Sequence, residues 1–137
     1  MSRRFVGVIV ILAAATVLTG CAAGVTVTGS GSPALIIDDG FLTGDQALIQ
    51  GTLAVTESGC VGIAGAGGET YPAVWPRGTA LLSGPDTAIH VPGVGAVRIG
   101  DEVEGAGGYY DVGTTPALDN VAERCDWQGE VIGIRFE

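Results

Sequence analysis

At 137 residues, the chain has room for one compact domain and little more, so two independent cores are excluded. It carries six arginines, no lysine and fifteen acidic residues, a net charge of −9, which argues against nucleic acid as a partner because nothing here neutralises a row of phosphates. The acidity favours solubility and repulsion from anionic membrane surfaces, or attraction of cations; its ordinary reading is a solvated acidic surface, and it is silent on fold.

Residues 1–20 begin with Arg3 and Arg4, continue in an apolar run from Phe5 to Leu18 and end in small residues, the layout of a secretory signal peptide. The run is short for a bilayer span. At its end, Leu18-Thr19-Gly20-Cys21 resembles the lipobox of bacterial lipoproteins. The resemblance implies cleavage before Cys21, a diacylglycerol on its sulfur, acylation of the new amino terminus by a chain such as palmitate, and a place at the extracytoplasmic face of the cell membrane. Each buried methylene contributes roughly 0.8 kcal/mol, and two or three acyl chains on one residue anchor a protein stably. Loss of Arg3 and Arg4 leaves four positive against fifteen negative groups, a net charge of −11 on 117 residues.

Residues 21–45 read as a flexible tether, with Gly29, Gly31 and Pro33 as breakers. Within it, Ala34 to Ile37 is a short apolar run closed by Asp38-Asp39-Gly40, which suggests an edge strand. Asp38, Asp39 and Asp45 lack the alternating spacing and distal glutamate of a calcium loop, so they read as turn carboxylates.

Over 46–137 there is almost no helical period, while runs rich in Val, Ile and Thr recur between glycine-rich turns. Strands are predicted at Leu48 to Val55, Cys60 to Ala64, Tyr71 to Trp75, Thr87 to Val91, Ala96 to Ile99, Glu102 to Tyr110 and Glu130 to Phe136. In the last, Ile132, Ile134 and Phe136 share one face. Turns are predicted at Glu57 to Gly59, Gly65 to Gly68, Ser83 to Asp86, Pro92-Gly93 and Gly100-Asp101. One short helix is predicted, with Thr115 as cap, Pro116 first and Leu118, Val121, Ala122 and Cys125 on one face. The predicted class is all-β, a small barrel or sandwich with that helix before the last strand. With Gly100-Asp101-Glu102-Val103 and Gly105 as the turn into a curled strand, residues 46–137 resemble small barrels of the OB-fold type.

Lipidation of Cys21 would leave Cys60 and Cys125 in a compartment where thiols are oxidised, and a disulfide between them is predicted. Neither has a CxxC neighbour, and His90 is the sole histidine, so a metal site or reactive thiol has little support. His90 sits between Ile89 and Val91 in a predicted strand and reads as structural rather than as a catalytic base. Asp101, Glu102 and Glu104, or Asp111 and Asp126, offer carboxylate pairs, although turn acids are the commoner reading. Gly105 to Gly108 lacks the residues of a phosphate loop and suits a bulge or kink.

The remaining feature is aromatic. Tyr71, Trp75 and Arg77, with Tyr109, Tyr110 and Trp127, either fill the core or present a ligand surface, the Trp75-Pro76-Arg77-Gly78 stretch being the first choice for contact. The leading expectation is a lipid-anchored envelope lipoprotein whose domain is a non-enzymatic binding or scaffold module. It would meet the membrane through Cys21 and an envelope protein or wall polymer through its barrel, with no cofactor, metal or catalytic residue. The alternatives are an extracytoplasmic hydrolase using a carboxylate pair and a cation or small-ligand sensor.

Overall fold

The computed structural model describes residues 24–29 and 33–137; the expected leader and Cys21 lie outside them. In chain order the strands are β1 (Gly24–Thr28), β2 (Leu35–Asp39), β3 (Ala47–Val55), β4 (Val61–Ala64), β5 (Thr70–Trp75), β6 (Ala80–Leu81), β7 (Ala88–Val91), β8 (Gly95–Arg98), β9 (Glu102–Asp111) and β10 (Glu130–Arg135). A 3-10 turn, Pro116–Leu118, leads into helix α1 (Asp119–Arg124) before β10.

Five strands close on themselves in the order β3-β4-β5-β10-β9, with β9 pairing back onto β3. All barrel pairs are antiparallel except β5 with β10. A meander followed by a last strand inserted beside the third makes a small closed barrel, the first of the two forms, barrel or sandwich, anticipated from the sequence. Alternation fills it: Ile49 and Leu53 of β3, Val61 and Ile63 of β4, Ala73 and Trp75 of β5, and Ile132 and Ile134 of β10 form one buried cluster, with Phe136 packed against it.

Tight coiling of so small a barrel requires strands without side chains at the closest approaches. A Cβ on Gly107 of β9 would lie 1.7 Å from the Gly133 carbonyl oxygen, and one on Gly62 of β4 would lie 2.0 Å from that of Tyr71. Both β9 ladders run in unbroken register. Of the two devices expected at Gly105 to Gly108, the bulge is therefore absent, and the glycines serve the close approach of neighbouring strands.

Between β5 and β9 the chain leaves the barrel to form a separate antiparallel sheet, β6-β7-β8. Its inward residues Ile89, Val91 and Val97 share the barrel core with Trp75, Leu53 and Val103. The predicted strands at Thr87 and Ala96 exist, but they plug one end of the barrel instead of continuing its wall.

The expected tether over 21–45 is corrected by its described residues. β1 and β2 form an antiparallel hairpin, and β2 joins β5 in parallel through Ile36–Val74 and Ile37–Trp75. The isolated edge strand expected at Ala34 to Ile37 is thus an inner strand. Leu35 enters the barrel cluster, whereas Ile36 enters a second cluster outside the wall with Cys60, Val74, Leu118, Val121, Cys125 and Val131. Burial on both faces explains the continuous apolar run, which local alternation does not reveal. Helix side chains cover the free edge of β1, Asn120 Nδ2 donating to the Val25 carbonyl at 3.0 Å and Arg124 to that of Gly29.

The predicted helix face is observed, since Leu118, Val121 and Cys125 are buried. Thr115 makes no side-chain cap bond. The helix stops at Asp126, whose φ of +44° is the one positive value at a non-glycine among the described residues. Trp127 N–H donates to the Ala122 carbonyl at 3.0 Å and Asp126 N–H to that of Glu123 at 3.4 Å, the paired bonds of a Schellman stop.

Candidate functional site

The predicted disulfide is present: Cys60 and Cys125 are joined at 2.07 Å across a sequence separation of 65, with both side chains fully buried. It ties the β3–β4 loop to the end of α1. Ser58 Oγ adds a hydrogen bond to the Cys125 carbonyl across the same junction. Two loops distant in sequence thereby become adjacent walls.

A groove of about 790 Å³ opens between those walls and the β4–β5 turn. Glu57 and Ser58 line one side, Glu69 and Tyr71 another, and Asp126, Trp127 and Glu130 the third. Tyr71 and Trp127 meet edge to face with ring centroids 6.2 Å apart, and the Trp127 indole donates to the Glu130 carbonyl at 2.8 Å. Tyr71 donates to the Glu69 carboxylate. That bond is the first cause of the raised Tyr71 pKa, followed by burial and by the negative charge of Glu69 and Glu130.

No arginine or histidine lines the groove. Its chemistry is two aromatic rings amid four carboxylates, Glu57, Glu69, Asp126 and Glu130. Such a surface offers apolar contact area together with acceptors for hydroxyl or ammonium groups.

The six residues proposed as one surface separate. Tyr71 and Trp127 line the groove. Trp75 is fully buried in the barrel, stacked with Phe136 at 6.4 Å, and its indole N–H has no partner. Placing it in the contact stretch is corrected, because the inward parity of β5 that buries Ala73 also buries Trp75. Arg77 lies beyond that end of β5, exposed and paired with Asp39 at 2.8 Å. Tyr110 turns to the outer layer, packing on Phe41 at 4.8 Å and donating to Asp45. Burial first, then that bond, pushes its pKa up to about 12. Tyr109 is half exposed and pairs with Ile132.

Of the acidic residues considered for catalysis, Asp126 lines the groove, Glu102 is exposed at the start of β9, and the other three hold local structure. Asp101 accepts from Arg98 N–H at 2.8 Å, Asp111 from Gly113 N–H at 2.7 Å, and Glu104 from Gln50 at 2.9 Å. Asp38 accepts from Phe41 and Leu42 N–H at 2.7 and 2.9 Å, the turn role expected of it. His90 is exposed on β7 between buried Ile89 and Val91. Among the described residues no three His, Cys, Asp or Glu side chains gather as a metal site, and no helix is long and apolar enough to cross a membrane.

Sequence reasoning missed Glu57, Glu69, Asp126 and Glu130 as one group. The usable signal was the predicted disulfide: pairing Cys60 with Cys125 places Glu57 and Asp126, three residues before one cysteine and one after the other, on neighbouring walls. Compared with protein-family models, curated proteins and solved structures, the chain matches none.

Proposed function

We propose that the chain is a bacterial lipoprotein, held through Cys21 at the extracytoplasmic face of the cell membrane, and that its barrel is a non-enzymatic binding module. The lipobox-like Leu18-Thr19-Gly20-Cys21 supports the anchor. The Cys60–Cys125 bridge supports the compartment, since disulfides persist where thiols are oxidised.

The observation that carries the binding role is the groove, in which Tyr71 and Trp127 stand among Glu57, Glu69, Asp126 and Glu130. Its ligand is an envelope protein or wall polymer presenting hydroxyl or ammonium groups. The rings supply contact area and the carboxylates fix orientation. A hydrolase reading has less support, because Asp101, Asp111 and Glu104 are engaged by neighbours, leaving Glu102 and Asp126 each without a free carboxylate partner from its proposed set.

A photo-crosslinking side chain at Gln128, on the groove wall, tests this in the intact lipoprotein. A reproducible adduct is expected, lost on Trp127→Ala and on Glu69→Gln. No adduct, or one indifferent to both changes, refutes the groove as a binding site.

A further inference from the structure

The barrel has two chemically different ends, and the anchor point belongs to one of them. Ile37 pairs with Trp75, and Gly24 pairs with Asp39, so β1 starts level with the position of Arg77. The Arg77–Asp39 ion pair agrees with that level. Tyr71 lies six residues back along β5, about 20 Å away at strand spacing. Cys21 precedes Gly24 by three residues, at most about 11 Å of chain. On the lipid-anchor reading, that length of chain joins the membrane to the end of the barrel opposite Tyr71 and is too short a spacer to lift the domain away.

The β6–β8 sheet closes that same end, since it follows directly on Trp75. Pro92 of its β7–β8 turn shares a hollow with Asp38, Leu42 and Phe136, at the foot of β2. Six large apolar side chains are exposed among the described residues, and four of them, Leu81, Leu82, Val94 and Ile99, belong to this sheet and its turns. Scattered exposed apolar residues need no explanation, but a concentration in one small sheet does. Its outward ladder is Ala80, His90 and Ala96, all exposed, with Arg98 exposed beside them. The acids of this sheet's turns are Asp86 and Asp101, the latter held by Arg98 N–H, and Asp38, Asp39 and Glu137 stand at the same end of the barrel, Asp39 paired with Arg77. The groove carries Glu57, Glu69, Asp126 and Glu130 with no cation.

We infer that the anchored domain lies directly on the lipid surface, with Leu81, Leu82, Val94 and Ile99 seated in the headgroup region and the acidic groove turned outward. The inference rests on the lipid-anchor reading above. Apolar tips suit the headgroup region, and the four groove carboxylates, with no cation among them, are the part of the domain that an anionic surface repels most. The acyl chains supply the attachment and the sheet supplies the orientation.

The test uses the mature lipoprotein in vesicles of phosphatidylethanolamine and phosphatidylglycerol with brominated acyl chains, which quench nearby tryptophan. Val94→Trp places a reporter on the sheet. Gly67→Trp places one in the β4–β5 turn near the groove, where an added side chain meets nothing within 4 Å. Intact mass first establishes acylation of Cys21. The Val94→Trp reporter is expected to lose most of its fluorescence, with Gly67→Trp and the wild-type signal unchanged. Equal quenching of both reporters, or of neither, on an acylated protein overturns the orientation while the anchor stands. Absence of acyl mass on Cys21 overturns the anchor and the orientation with it.

Discussion

Replacing Cys60 and Cys125 together by alanine removes a link that closes a loop across 65 positions. For a loop of that length the lost restriction on the unfolded chain is worth about 4 kcal/mol at 25 °C. Domains of this size hold roughly 5–15 kcal/mol in total, so the variant should keep its fold with a large part of its margin gone. In urea, where small domains lose about 1–3 kcal/mol per molar, the midpoint should fall by about 2 M. The slope should rise, because the unlinked chain expands further when unfolded. The damage should also be local. Hydrogen exchange at Gly59, whose N–H is held by the Thr56 carbonyl, and at Trp127 should quicken more than at Ile132, since the first two flank the missing link and the last sits mid-ladder. A midpoint shift below about 0.5 M, with unchanged exchange at Gly59 and Trp127, would refute both the stability argument and the role of the disulfide as a brace for the groove.

Two other outcomes follow from particular residues. Asp126→Gly relieves the positive φ at the helix stop and should stabilise the domain by about 0.5–1 kcal/mol in urea melts, while weakening any ligand that uses the Asp126 carboxylate; a destabilised variant would contradict the Schellman reading. Tyr110 has its pKa raised to about 12 by burial and by its bond to Asp45, so its folded form keeps the proton longer than the unfolded chain does. The stability it adds is complete below pH 10, the ordinary tyrosine value, and is lost as pH rises from 10 through about 12. The loss should be well below the ~1.4 kcal/mol per pKa unit of a dry site, because the side chain is only half-buried. In alkaline urea melts Tyr110→Phe should remove that part of the pH slope, and an identical slope in both proteins would contradict it.

Most of the wall was legible in the sequence because strand and turn signals are local. β3, β4, β5, β9 and β10 fall within a residue or so of their predicted bounds, since period-two apolar runs and glycine-rich turns depend on neighbours in the chain. The helix face was equally plain from Leu118, Val121 and Cys125. β1 was not legible: Gly24–Thr28 reads as small and polar, and its burial depends on a helix almost a hundred residues away. Nor did the strands at Ala88 and Gly95 reveal that they leave the barrel, because pairing partners are chosen by the fold rather than by the run itself.

For the site the division is similar. Sequence alone supplied Cys60 with Cys125 as the one pair left once Cys21 is read as a lipid anchor, and it marked Tyr71 and Trp127 as notable aromatics. It did not separate them from Trp75, Arg77 and Tyr110, which share their residue types but lie in the core, beyond the far end of β5 and in the outer layer. That separation follows from barrel closure, which sets inward and outward parity around the wall. The gathering of Glu57, Glu69, Asp126 and Glu130 follows from closure together with the disulfide, and both are long-range events. Sequence thus determined the strands, the turns, the helix face and the cysteine pair. Tertiary structure decided which aromatics are core, which acids share a groove, and that the chain leading in from Cys21 enters a strand at the opposite end.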